Sequence, residues 1–285
     1  MKKVLLAGAT GYLGSFIAKE LKSQGYELTI IVRKQEQVQE KGLEADHVLE
    51  AQVTQPITLN GCCKDIDIVI STVGITRQKD GMTYDDVDYQ ANINLMNEAE
   101  KSGVKKFIYI SAINAENMRE LKICDAKERF VDALVDSGLP HCIIRPHGFF
   151  SDMTEFYTMA KGGRIYLFGD GSLRGNPIHG ADLAEFVVNA IDQTETILPI
   201  GGPEFLSHRE IAEKAFAAVG KPAKITCMPD GIRRFALKAV RLLTGPKTYG
   251  PIEFFLTVMA KEMRAPEYGK HTLSEYFSTL KQQEK

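Results

Sequence analysis

The residues best placed to do chemistry in this 285-residue chain lie near its N-terminus. Gly8-Ala9-Thr10-Gly11-Tyr12-Leu13-Gly14 spaces three glycines three residues apart. The run follows a short apolar segment, Val4 to Ala7, and precedes a segment in which Leu13, Phe16, Ile17 and Leu21 share one helical stripe. A buried strand, a glycine turn and an amphipathic helix in that order cradle a pyrophosphate. Gly8 allows the tight turn, Gly11 lets backbone N–H groups approach the phosphates, and Gly14 lets the helix pack closely on the strand. The helix N-terminus then offers unpaired donors and a partial positive charge. Gly8, Thr10, Gly11, Tyr12, Leu13 and Gly14 are the predicted dinucleotide contacts. A glycine trio alone says little; its place between strand and helix carries the inference.

The end of the second strand selects the dinucleotide. NAD-binding folds place Asp or Glu there, to accept from the ribose 2′-OH. Here the strand ends Ile31-Val32-Arg33-Lys34. Arg33 can pair with a 2′-phosphate in forked geometry, and Lys34 adds a point charge. The expected cofactor is NADP(H) rather than NAD(H); a solvated basic turn is the bland alternative. Lys127 is the third candidate. It shares one helical face with Ile123, Phe130, Val131 and Leu134, a face that is otherwise apolar and should point inward. A buried ammonium needs a partner. Cofactor ribose hydroxyls would serve; a lysine snorkelling at the edge of the face is the alternative.

These residues need a scaffold, and the sequence predicts one. Strands are expected at Lys3–Ala7, Leu28–Arg33, His47–Glu50, Asp67–Ser71, Phe107–Ser111, Cys142–Arg145 and Ile197–Ile200. Most are continuous apolar runs, as in a parallel sheet covered on both faces. Helices are expected at Tyr12–Ser23, Tyr89–Ser102 and Lys122–Asp136. In the second of these, Ala91, Leu95, Glu98 and Ala99 fall at helical spacing. Alternating strands and helices predict an α/β, Rossmann-type, doubly wound parallel sheet. The cofactor core is expected over residues 1–148. Residues 149–285 should form a smaller substrate-side lobe with richer glycine loops and returning strand and helix elements. Ser207-His208-Arg209-Glu210 and Thr272-Leu273-Ser274-Glu275 are capping-box patterns that open helices there.

Composition bounds the rest. With 35 basic and 37 acidic residues, a net charge of −2 and 44% hydrophobic residues, the chain can bury a core and has no bulk charge for nucleic acid. Five cysteines, Cys62, Cys63, Cys124, Cys142 and Cys227, show no metal spacing, and no His-x-x-x-His pair occurs. No metal is expected, and an odd cysteine count fits a reducing cytoplasm. No stretch approaches the apolar length of a membrane span.

Beyond the glycine loop, four stretches carry a family resemblance. They are Ile70-Ser71-Thr72-Val73-Gly74-Ile75-Thr76-Arg77-Gln78-Lys79-Asp80, Val87-Asp88-Tyr89-Gln90-Ala91-Asn92, Gly103-Val104-Lys105-Lys106-Phe107-Ile108-Tyr109-Ile110-Ser111 and Ile144-Arg145-Pro146-His147-Gly148-Phe149-Phe150. With the Ala-Thr-Gly of the first loop, they resemble the atypical short-chain dehydrogenase/reductase superfamily, in its NmrA-like group near divinyl-chlorophyllide-reductase-like and complex-I-subunit-like proteins. The resemblance implies that Ser71, Thr72, Val73 and Gly74 follow the adenosine and ribose side, and that Ser111 and Lys127 join the cofactor site. It implies that Pro146, His147, Gly148 and Phe149 meet the nicotinamide end. Gln52 and Val53 should approach the adenine, although the Gly-Asp of many relatives is Ala51-Gln52 here.

Ordinary family members use Tyr-x-x-x-Lys, in which the lysine lowers the tyrosine pKa. The matching stretch here is Ile123-Cys124-Asp125-Ala126-Lys127, so the lysine is kept and the tyrosine is isoleucine. Lys127 itself, or Tyr84, Tyr89, Arg77, Lys79 or His147, would have to supply the proton. His179 and Asp182 read as a structural turn into a helix. Residues 233–243, with basic and apolar faces, read as a helix covering the substrate pocket in preference to a membrane-surface or partner-binding helix. Two functions follow. One is an NADP(H)-dependent reductase of a small or medium, partly apolar acceptor such as a quinone, enone or carbonyl compound. The other is a non-catalytic NADP(H)-sensing regulator or assembly subunit.

Overall fold

The computed structural model describes residues 1–76 and 81–284, the side chains of 246–248 excepted. Strands are β1 (Lys3–Ala7), β2 (Glu27–Val32), β3 (His47–Glu50), β4 (Ile68–Ser71), β5 (Lys106–Ile110), β6 (His141–Pro146), β7 (Ile165–Phe168), β8 (Arg174–Gly175), β9 (Ile197–Ile200), β10 (Leu206–Ser207) and β11 (Ile225–Met228). Helices are α1 (Tyr12–Ser23), α2 (Glu36–Glu40), α3 (Ala91–Lys101), α4 (Lys122–Asp136), α5 (Thr154–Lys161), α6 (Gly180–Asn189), α7 (His208–Val219), α8 (Asp230–Leu243), α9 (Pro246–Val258) and α10 (Leu273–Gln282).

Seven strands form one sheet in the order β3-β2-β1-β4-β5-β6-β9. The pairs β1–β2, β1–β4, β2–β3, β4–β5 and β5–β6 are all parallel. The order reverses between β1 and β4, the switch point at which doubly wound folds open a ligand crevice at the strands' carboxyl ends. The continuous apolar runs explain the strands: Val4 to Ala7, Val69, Ile70, Phe107 to Tyr109 and Cys142 to Ile144 are all fully buried. Burying both faces of each strand requires helices on both sides, and the β–α alternation supplies them.

The chain divides into two compact units. The first is Met1–Arg145 with Leu183–Leu198; the second is Pro146–Asp182 with Pro199–Lys285. The second has its own core of Phe150, Phe156, Tyr157, Ile165, Ile211, Phe216, Leu273 and Phe277. It also contains two small two-stranded sheets, β7 with β11 and β8 with β10. Both capping boxes form: Ser207 accepts from the Glu210 N–H and Thr272 from the Glu275 N–H.

Three regions differ from the sequence reading. The helix expected from Tyr89 begins with a wider π-type turn, Asp85–Gln90, before α3. The small sheets and α9, with Pro251 inside it, were not anticipated. Residues 233–243 form part of α8 as expected, but the helix buries none of its residues, and Phe235, Leu242 and Leu243 are exposed. Part of its apolar surface therefore meets solvent. No helix among the described residues is long and apolar enough to cross a membrane.

Candidate cofactor and active site

The first unit brings the predicted cofactor residues from Gly8 to Lys127 to the carboxyl ends of its parallel strands, while Pro146 to Phe149 belong to the second unit. Ala7 pairs with Ile31 on one side and Ser71 on the other, and Ser71 pairs with Tyr109. The Gly8–Gly14 loop, Arg33 and Lys34, Thr72 to Gly74, and Ser111 therefore leave their strands in the same direction.

The loop has the stereochemistry that a phosphate cradle needs. Gly8 has φ +88°, a left-handed conformation open to glycine, and its carbonyl accepts the Gly11 N–H at 3.0 Å. A Cβ on Gly14 would stand 2.1 Å from the Gly8 carbonyl oxygen, and one on Gly8 would stand 2.4 Å from Thr72 Oγ1. Only hydrogen fits at either position. Gly11 is the N-cap of α1, with no side-chain cap and no acid in the first turn. The N-terminal turn of α1 thus carries neither a side-chain cap nor a negative charge of its own, as an anion site requires. Thr10 and Tyr12 are half-buried and Leu13 is buried in the same turn.

Arg33 and Lys34 follow β2, both exposed, and neither has an ion-pair partner among the described residues. Glu50, at the end of β3, accepts the Gln35 N–H at 3.2 Å rather than pairing with either cation. After β3, Ala51 donates to the Val32 carbonyl at 3.0 Å, Thr58 Oγ1 both accepts from the Gln52 N–H and donates to its carbonyl, and Asn94 Nδ2 donates to the Val53 carbonyl. Gln52 and Val53 are thereby held in a fixed turn.

The deepest part of the site contains a pair that the sequence reading missed. Lys127, on α4, does face inward with Ile123, Phe130, Val131 and Leu134, all four of them buried. Its side chain keeps 14% of its exposure, and its Nζ lies 3.0 Å from Oδ1 of Asp88, whose side chain is fully buried. A carboxylate, and not a cofactor hydroxyl, is the partner the chain itself supplies. Asp88 Oδ2 accepts the Ile75 N–H at 3.2 Å, so one acid ties the helix lysine to the loop after β4. Gly74 lies against both: a Cβ there would stand 2.6 Å from Asp88 Oδ1 and 2.9 Å from Lys127 Nζ. Tyr109 completes the group, with Lys127 Nζ 5.5 Å from its ring centroid.

Burial pushes the Asp88 carboxyl pKa upward, against the opposing pull of Lys127. Burial alone would lower the Lys127 ammonium pKa, but Tyr109 and Asp88 outweigh it and hold the pKa above the usual lysine range. Burial pushes the Tyr109 phenol to about 12. At neutral pH the group therefore holds a lysine ammonium and a protonated phenol. The Tyr109 hydroxyl has no hydrogen-bond partner among the described residues.

A signal for Asp88 was present. Asp88, Asn92, Leu95 and Ala99 repeat at four, seven and eleven residues, and all four are buried. Asn92 is the hub of the turn: it accepts from Ser71 Oγ at 2.6 Å and donates to the Val73 and Asp88 carbonyls. The Ser71 hydroxyl also accepts the Val73 N–H, and Thr72 donates its N–H to the Ala7 carbonyl. Ser111 is buried, and its hydroxyl donates to Glu128, which Arg145 grips with two nitrogens at 2.8 and 2.7 Å. The side chain of Ser111 is spent on that network.

The other proton-donor candidates have structural duties. The Tyr84 hydroxyl donates to the Thr76 carbonyl, and the Arg129 guanidinium lies 4.4 Å over the Tyr89 ring. Arg77 and Lys79 lie outside the described residues. Pro146, His147, Gly148 and Phe149 belong to the second unit. There His147 Nδ1 accepts the Gly148 N–H at 2.7 Å, and a Cβ on Gly175 would stand 2.7 Å from its Nε2. Burial lowers the His147 pKa to about 4, so the ring is neutral near pH 7. Phe149 donates its N–H to Asp152. In the same unit Asp182 is buried and accepts the N–H groups of Lys270 and His271 together with the His271 ring, which stacks on His179 at 4.2 Å. His179 and Asp182, expected only to shape the turn into α6, thus also pin the 269–271 loop.

The comparisons with known proteins agree with this geometry. The family described as NAD(P)H-binding matches residues 8–194. Divinyl chlorophyllide a 8-vinyl-reductase of Cucumis sativus is 28% identical across 97% of this chain and 75% of its own length. Photosystem II assembly factor Ycf39 of Guillardia theta is 28% identical across 79% of this chain and 73% of its own length. Among solved structures, the NADPH-dependent quinone oxidoreductase QOR2 of Escherichia coli, complexed with NADPH, shares the fold. Its TM-score is 0.73 at 19% identity, covering 97% of this chain and 99% of that one. The chain belongs to the NAD(P)H-binding family, with the Rossmann-type, reductase-like character of the atypical short-chain group that its motifs resemble.

Proposed function

We propose that this chain is an NADP(H)-dependent reductase of a small or medium, partly apolar acceptor: a quinone, an enone or a carbonyl compound. The observation that carries the reading is the Lys127–Asp88 pair, a buried ammonium held beside Gly74 at the strands' carboxyl ends, from which the phosphate cradle also leaves. Bound NADPH supplies the hydride. The Gly8–Gly14 backbone takes the pyrophosphate, and Arg33 and Lys34 take the 2′-phosphate. Gln52 and Val53 border the adenine, and Ser71 to Gly74 and Ser111 shape the wall along the ribose. The resemblance assigns Pro146 to Phe149 to the nicotinamide end. Lys127 donates to ribose hydroxyls and provides the proton that reduction of the acceptor requires. Asp88 positions it and keeps it charged. Ile123, buried where the family's tyrosine would stand, leaves no phenol at that position. An acceptor already activated by conjugation needs less acid help than a simple ketone, so quinones and enones suit the site best. The relatives named for reducing a vinyl group and a quinone support that choice.

The buried Ile123 also favours a second reading: a protein that binds NADP(H) and serves sensing or assembly without turnover. The relative named as an assembly factor supports it. Loss of NADPH absorbance against a panel of quinones, enones and aldehydes separates the two. The reductase reading predicts turnover with at least one acceptor, falling about a hundredfold or more in Lys127→Met. Tight NADPH binding without turnover on any acceptor overturns it in favour of the second.

A further inference from the structure

In the second unit, α8 has an exposed apolar face for which the reductase reading has no use. Ile232, Phe235, Leu242 and Leu243 are 49, 74, 85 and 78% exposed, and with Ala239 they recur at the spacing of one helical stripe. Arg234 and Lys238, four residues apart, form a cationic border along one flank of that stripe. The only acid on the helix is Asp230 in its first turn, which Arg233 and Arg234 grip. The opposite side is occupied. Arg233 reaches the Leu256 carbonyl of α9, and Arg241 Nε donates to Glu253 of α9 at 2.5 Å. α9 thus fixes which face of α8 stays open.

We infer that α8 is an in-plane anchor that rests this protein on an anionic lipid surface. The helix has fourteen residues, about 21 Å of length at ~1.5 Å per residue, well short of the ~30 Å needed to span a bilayer. It has the composition of interfacial helices: an apolar stripe containing Phe and Leu, a cationic border and low overall hydrophobicity. Charge favours lipid over a protein partner: the border of the open stripe includes Lys238, of a residue type depleted at protein interfaces, and a lysine beside an apolar stripe meets phosphate headgroups directly. Shape points the same way. Phe235, Leu242 and Leu243 protrude almost fully rather than lining a groove, so an acyl–headgroup boundary can close around them. On a surface, Phe235 and Leu242 enter the boundary while Lys238 and Arg234 stay at headgroup level.

Flotation of the full chain with vesicles tests the inference. One set is phosphatidylcholine alone, the other a mixture of phosphatidylcholine and phosphatidylglycerol. At low salt the wild type should float with the mixed vesicles and not with phosphatidylcholine, and added salt should release it. Phe235→Ser/Leu242→Ser should weaken partition by at least about tenfold, from the lost apolar burial, and Lys238→Glu should weaken it less. NADPH titration of each variant, unchanged from wild type, shows that the fold is intact. Failure of the wild type to bind mixed vesicles overturns the inference. So does equal binding by wild type and the double variant. A self-associating wild type that the double variant makes monomeric, with no vesicle binding, would assign the stripe to a second copy instead.

Discussion

Lys127 and His147 are both sequestered basic groups, and the structure treats them in opposite ways. Lys127, in the first unit, has the Asp88 carboxylate at 3.0 Å and is held charged. His147, in the second, has no carboxylate partner among the described residues; its Nδ1 accepts the Gly148 N–H, and it is held neutral with a pKa of about 4. Burial opposes charge at both positions. The difference is the counter-ion, so a buried base keeps its charge at neutral pH where a buried acid faces it. Depth in the fold does not predict it.

The largest test of this contrast breaks the pair. Removing one partner of a buried ion pair leaves an uncompensated charge. Lys127→Met should therefore cost about 3–5 kcal/mol in urea unfolding, while Asp88→Asn/Lys127→Met should recover most of it. A single-variant loss as small as that of an exposed pair would remove Asp88 as the holder of the charge.

The His147 side of the contrast is sharpened by pH. The unfolded ring titrates near 6.5 and the folded one near 4, so between these values the unfolded chain binds the extra proton. The stability that a neutral His147 contributes is fully present above about pH 6.5 and is lost as pH falls toward 4, up to about 3 kcal/mol. His147→Asn keeps an acceptor for the Gly148 N–H and removes the titration. Its stability should fall less steeply than wild type over that window; parallel curves would show that the ring is already charged in the native state.

The smallest effect is expected at Tyr109. Its hydroxyl is buried beside Lys127 without a well-formed hydrogen bond among the described residues, so Tyr109→Phe removes a polar group whose contact with Lys127 offsets only part of its burial. Stability should be unchanged or slightly higher. A loss above about 1 kcal/mol would mean that the phenol is bonded within the Lys127 group.

The features legible in the sequence were local ones. The Gly8–Gly14 loop, the apolar strands and the two capping boxes are each specified within about a dozen residues, and they form where expected. Lys127 was legible as a buried cation because its whole helical face lies within α4. Its partner was not, since Asp88 reaches it only through the packing of the Asp85–Gln90 turn on α4, a contact that no spacing rule encodes. The short pairs β7–β11 and β8–β10 were hidden for the same reason. α8 shows a different limit. Periodicity revealed that one face was apolar, but only the fold showed that α9 takes the opposite side and leaves that face open.

The central claim is that the carboxyl ends of the first unit's strands bind NADP(H) and that Arg33 reads its 2′-phosphate. Titration of wild type and Arg33→Ala with NADPH and with NADH tests it most directly. The account predicts that the variant weakens NADPH by about ten- to a hundredfold, the worth of a charge-assisted hydrogen bond, and leaves NADH almost unchanged. Equal losses for both cofactors, or no loss for either, would contradict it.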